Sequence, residues 1–162
     1  MAERREEARA GPAGAREELA KLIAEARRLE VLATVLRDLA TRTEAWLAEL
    51  RTAGSTLEGL AGREGAEMLV PIGAGSYIWA RVGRVDKVVV GVGADVAVEM
   101  DVEKAKEVIG DRIAEAEKAL NDYLRRLTEV ERALAAYTER IRTLMGAARV
   151  AGGPEAGPEK SA

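Results

Sequence analysis

The residue types behind most enzymatic chemistry are missing from this chain. It has no histidine and no cysteine. That removes His-based triads, imidazole proton shuttles, His metal sites, thiolate nucleophiles and disulfides. What remains is a large set of carboxylates, a few glycine clusters and one aromatic pair. Paired catalytic carboxylates need a shaped, partly dry pocket. Here Asp and Glu recur along helical stretches, where they suit solvated faces and i,i+4 ion pairs. Gly73, Gly75, Gly91 and Gly93 invite comparison with phosphate-binding loops. However, Gly73–Ser76 has no following lysine and precedes a strand rather than a helix, so the turn reading is preferred. Tyr77 and Trp79 flank Ile78 and share the opposite face. They suit either a stacking site or packing between subunits, and the second fits better. No catalytic, cofactor-binding or metal residue is assigned, no cofactor is expected, and the chain is read as not an enzyme.

Composition narrows the class further. The 162 residues are enough for one domain. The 25 basic and 28 acidic residues nearly balance, which does not favour a nucleic-acid footprint. Phenylalanine and glutamine are absent and Asn121 is the only asparagine. Few thermolabile residues beside many charges fit a thermophile. Aromatic residues make up only 3% of the chain, so a long, thin, helix-seamed core is expected instead of a round one. No apolar run approaches the roughly 20 residues of a membrane span. The N-terminal stretch has no apolar segment of the kind a secretory signal carries. A cytoplasmic protein is expected.

The elements that must position any site fall around residues 68–100, the one β-like region. Four short runs, 67–72, 77–82, 87–92 and 95–100, alternate with period two. Met68, Val70 and Ile72 share one face of the first. Ile78, Ala80 and Val82 do so in the second, Val88, Val90 and Val92 in the third, and Val96, Val98 and Met100 in the fourth. Gly73–Ser76 and Gly93-Ala94 read as hairpin turns, the latter with glycine first as a type II′ turn prefers. Two consecutive hairpins are predicted over 66–100. Four short strands leave open edges, so such a base should pair with other subunits.

Heptads flank this base on both sides. In 15–62 one column holds Leu22, Leu29, Leu36, Leu50 and Leu57, and its neighbour holds Leu19, Ala26, Ala33, Ala40 and Leu47. Leu32, Leu39 and Trp46 widen this apolar face beyond a two-stranded seam. In 102–148, where Asp101 is a plausible N-cap, the columns are Val102, Ile109, Ala116, Tyr123, Val130, Tyr137, Leu144 and Ile113, Leu120, Leu127, Leu134, Ile141. Each helix is about 70 Å long at 1.5 Å per residue. Folded back antiparallel, they take a register that sets Leu50 opposite Ile113, Leu36 opposite Leu127, Leu29 opposite Leu134 and Leu22 opposite Ile141. Ala33 then faces Val130, Leu47 faces Ala116, Gly54 faces Ile109 and Leu19 faces Leu144. Large residues mostly face small ones in the second set, as close packing requires. Residues 1–14 and 151–162 are expected to be flexible. The domain is 15–150, and the fold class is α+β: a long antiparallel two-helix coiled coil with two β-hairpins between its helices.

This order, with VPIGAGS at 70–76 and VVVGVGADVAVEM at 88–100, resembles the α-class subunits of archaeal prefoldin over about residues 17–148. The resemblance implies a hetero-hexamer of two such subunits with four prefoldin β subunits, the hairpins forming a β-barrel platform from which coiled coils project. It implies capture of unfolded client proteins at the coil tips without ATP, and delivery to a group II chaperonin. The glycine-rich 54–65 segment departs from a uniformly helical approach to the platform.

Under that reading the client-binding tips are Leu19, Leu22, Ile23, Ile141, Leu144 and Met145. At a free coil end no further element covers apolar side chains, and methionine adapts to varied partners. Taken singly, each of these residues is better read as closing the two-helix seam; with the resemblance a double role is favoured, since Ile23 and Met145 lie off the main columns. Subunit assembly is assigned to Val70, Ile72, Ile78, Val82, Val88, Val90, Val92, Val96 and Val98, and a charge at Val90 or Val98 is expected to break assembly. The alternative function is a structural coiled-coil scaffold that docks one defined partner.

Overall fold

The computed structural model describes residues 12–151, with side chains from 14 to 147. The element order is α1 (Pro12–Leu60), β1 (Glu67–Gly73), β2 (Ser76–Arg81), β3 (Lys87–Gly93), β4 (Val96–Asp101) and α2 (Val102–Ala151). The segment expected to be flexible at 1–14 thus contributes its last residues to α1, and the rest of it lies outside the described residues. The expected tail at 151–162 lies outside them too, apart from Ala151 at the end of α2.

Alanine, leucine, glutamate and arginine dominate both helices, and all are strong helix formers. Pro12 opens α1, where its missing N–H would have no intrahelical partner in any case. After Leu60 the chain turns out of the helix through Gly62 at φ +70°, a left-handed conformation that glycine takes without a Cβ penalty.

The chain divides into two compact units. The first contains the α1 part up to Asp38 and the α2 part from Tyr123. Its core is Ala33, Leu36 and Val130, with Leu29, Tyr123 and Leu127 packed around them. Two cross-helix ion pairs flank this seam. Arg37 donates to Glu131 at 2.6 Å, and Arg140 donates to Glu18 at 2.6 Å. The second unit, Leu39–Asp122, holds both hairpins. Leu47 and Leu50 pack on Ala116 with Ile113 and Leu120 alongside, and Arg51 donates to Glu117 at 2.7 Å. A Cβ on Gly54 would meet Ile109 Cγ2 at 3.7 Å. The expected register places these same residues opposite one another.

Each hairpin is a separate two-stranded antiparallel sheet. In the first, Met68 pairs with Ala80, Leu69 with Trp79, Val70 with Ile78 and Pro71 with Tyr77, and then Gly73 pairs with Ser76. In the second, Val88 pairs with Met100, Val89 with Glu99, Val90 with Val98 and Gly91 with Ala97, and then Gly93 pairs with Val96. Both ladders therefore skip one residue, Ile72 in β1 and Val92 in β3, which form matching bulges. This corrects the simple alternation that put Ile72 with Val70 and Val92 with Val90. The turns also differ from expectation. Ala94 and Asp95 are the central residues of the second, at φ +49° and +58°, and Ala74 and Gly75 those of the first, at +49° and +71°. Two positive φ values mark type I′ turns, not a type II′ turn led by Gly93. The I′ twist matches the strands, and the bulge before each turn absorbs the extra residue.

Candidate assembly and client-binding surfaces

The two hairpins differ in how their chain covers them. The β3–β4 hairpin is seated on its own helices. Val90 (7% exposed) forms a core with Leu57, Ala105 (0%) and Ile109, and Val88, Met100, Val108 and Ile113 pack against it. The Val102 N–H donates to the Asp86 carbonyl at 3.2 Å, tying the entry of β3 to the start of α2. Arg84 donates to the Asp86 carboxylate at 2.5 Å. That hydrogen bond holds the Asp86 carboxyl below its ordinary value and raises the Arg84 guanidinium. Lys104, bonded to Glu107, is raised for the same reason. All three groups are fully exposed, so these pairs add little to stability.

The other face of this hairpin carries exposed Val89 (65%) beside the Lys87–Glu99 ion pair at 3.2 Å. Val92, Val96 and Val98 are exposed as well. Val90 is therefore a core residue of its own chain. A charge there would strike the fold of its own chain as well as any assembly, whereas Val98 is exposed.

The β1–β2 hairpin has no such seat among the described residues. Its ladder is prolonged by Gly65 N–H to the Val82 carbonyl and Val82 N–H to the Ala66 carbonyl, both 2.8 Å. One face shows Leu69, Trp79 (72% exposed) and Tyr77, and the other shows Met68 and Ile78 with half-buried Val70 and Ala80. Ile72 at the bulge is exposed, and Val82 is half-buried. An isolated two-stranded hairpin is marginal in water, and this one is apolar on both sides.

At the helix ends of the first unit, Leu19, Leu22, Ile23, Ile141 and Leu144 are all half-buried, while Met145 is 45% exposed. The arrangement suits seam closure with partial exposure. Farther along the same unit, α1 exposes Val31, Leu32 and Val35 beside Arg27 and Arg28.

Comparison with known proteins decides what such surfaces belong to. The family model for "Prefoldin subunit" matches residues 29–147. The chain belongs to the prefoldin family, among the archaeal alpha subunits. It is 40% identical over 104 residues to the prefoldin subunit alpha of Methanopyrus kandleri, covering 64% of this chain and 66% of that one, just under two thirds of the relative's length. It is 29% identical over 129 residues to that of Nitrosopumilus maritimus, covering 78% of this chain and 89% of the relative. Among solved structures it resembles a filamentous PFD from Methanocaldococcus jannaschii. There the TM-score is 0.53 at 32% identity, with 75% of this chain and 95% of that one covered. Two long helices enclosing two antiparallel hairpins are thus the prefoldin architecture, and prefoldin is a chaperone family, not an enzyme family.

Sequence reasoning misses three features of this prefoldin subunit. The cross-helix arginine–glutamate pairs escape it because i,i+4 spacing reveals partners only within one helix. Val89 and Leu69 escape because alternation singles out one face of each strand, though unbroken runs such as Leu69-Val70 and Val88-Val89-Val90 signal strands apolar on both sides. The exposed Val31 and Val35 are legible as apolar residues outside both heptad columns.

Proposed function

We propose that this subunit is part of an ATP-independent holdase. In this reading two copies combine with four prefoldin β subunits, and their hairpins close into a β-barrel platform. Unfolded proteins are captured at coil tips made by Leu19, Leu22, Ile23, Ile141, Leu144 and Met145, then passed to a group II chaperonin in the cytoplasm. The observation that carries the reading is the β1–β2 hairpin. It exposes apolar side chains on both faces and needs other chains to cover them. Family membership supplies the chaperone context. No helix among the described residues is long and apolar enough to cross a membrane.

Capture is multivalent. One tip offers a small, partly exposed patch that binds weakly. Several tips around one space raise the effective concentration and hold a chain without a strong single contact. Each contact is reversible, so release requires no nucleotide. The test is native mass spectrometry of the tagged chain recovered from its own cells. A hexamer with two copies of this chain and four of a smaller coiled-coil subunit is expected. A complex with a single folded partner would instead favour a coiled-coil scaffold and overturn the holdase reading.

A further inference from the structure

The first unit carries an apolar hollow on a side of α1 that its own seam does not use. Leu32 and Val35 each precede a buried seam residue, Ala33 and Leu36, by one position, which turns them about 100° round the helix axis. With Arg28 and Val31 they occupy positions i, i+3, i+4 and i+7 of α1. Four residues so spaced make the hole that receives one knob from a facing helix in a coiled coil. Val31, Leu32 and Val35 are all exposed, so the hole is open among the described residues. The hollow measures about 450 Å³, and Arg27 and Arg28 line its end nearer the N-terminus. Arg27 makes no hydrogen bond or ion pair with any described residue. Arg28 is held by Glu25 at 3.2 Å, an exposed pair that a better partner displaces at little cost.

We propose that this hollow docks an amphipathic helix of another protein, one whose apolar knob is flanked by glutamate or aspartate. The spacing fits a helix better than an extended segment, since helix-in-groove recognition uses anchors at i, i+3, i+4 and i+7. The two arginines select the flanks. A guanidinium takes a carboxylate through two parallel hydrogen bonds, and a basic flank on the incoming helix is repelled. The docked helix completes a local three-helix bundle. Its contact is small, so it binds weakly and reversibly. The surface belongs to α1 alone, and the proposal depends neither on the subunit stoichiometry nor on capture at the tips.

The probe is a fluorescein-labelled peptide of three heptads, with leucine at its seam positions and glutamate at the flanking e and g positions. Its control is the same peptide with lysine at e and g. Fluorescence anisotropy with the full chain should show the glutamate peptide binding at least about tenfold more tightly than the lysine one. Arg27→Glu with Arg28→Glu should invert that preference. Val31→Ser with Val35→Ser should weaken the glutamate peptide at least about tenfold. Both side chains are exposed, so the circular dichroism and melting profile of that variant should stay unchanged. Equal binding of the two peptides, or an unchanged preference in the arginine variant, would overturn the proposal. So would loss of binding when Leu19, Leu22, Ile141 and Leu144 are replaced by serine, which would make the peptide one more client at the tips. A lower sedimenting mass for Val31→Ser with Val35→Ser would also overturn it, by giving the face to a second copy of the chain. Light scattering on the unaltered chain keeps the two readings apart. Suppression of client aggregation without peptide binding loses only this docking face, and peptide binding without suppression loses only the holdase reading.

Discussion

At the scale of single residues, Gly54 shows how a seam position can be under-filled. It lies inside α1, has no left-handed backbone, and faces Ile109 with room for a methyl at 3.7 Å. Glycine in a helix interior is less stable than alanine by roughly 0.5–1 kcal/mol. Gly54→Ala should therefore stabilise the chain by about that amount, read as a higher urea midpoint with an unchanged slope. Asp86 offers a pH test. The Arg84 hydrogen bond places its folded value below the ordinary 3.8. A depressed carboxyl contributes above the ordinary value and loses its contribution as pH falls through the folded one. NMR titration should find the Asp86 midpoint low in the unaltered chain and raised toward the ordinary value in Arg84→Ala, where the backbone hydrogen bond and Lys87 still hold it down in part. Ala94 and Asp95 were not legible as left-handed residues, because alanine rarely adopts φ near +49° and the neighbouring Gly93 offered an easier turn.

At the scale of elements, the helices were legible to within three residues at their ends, and the hairpins less so. Heptads repeat many times, so one misplaced residue hardly shifts the pattern. That is why the expected 15–62 and 102–148 differ from Pro12–Leu60 and Val102–Ala151 only at their ends. A strand gives four or five residues of signal, and one bulged residue reverses it. Ile72 and Val92 mislead for that reason. The register between helices can be tested without further structure. Cysteines at 29 and 134 should form a disulfide readily, and cysteines at 29 and 127 should not, as resolved by gel mobility under oxidising conditions. Equal yields would mean that the helices slide. The cross-helix pairs Arg37–Glu131 and Arg51–Glu117 argue against sliding, since both are made in one alignment. Leu19, Leu22, Ile141 and Leu144 were legible only as apolar seam positions, while Ile23 and Met145 stood out by lying off the heptad columns.

At the scale of the whole molecule, folding and function make separable demands. The cores around Ala33 and around Ala105 are complete within one chain, whereas the β1–β2 hairpin is not. Replacing Leu19, Leu22, Ile141 and Leu144 by serine together should abolish suppression of client aggregation, measured by light scattering, and leave the hexamer assembled with the same stoichiometry. Loss of the hexamer would make those residues structural and sink the tip reading. One further consequence comes from the pairing of the two helices' far ends. Glu18 meets Arg140 across 122 positions of sequence. On a ribosome adding about 5–20 residues each second, Glu18 waits on the order of ten seconds for its partner to be made. Throughout that interval the first helix carries its leucine seam bare. The newborn subunit is then itself an incomplete chain with exposed apolar surface, in the same condition as the proteins it is proposed to hold.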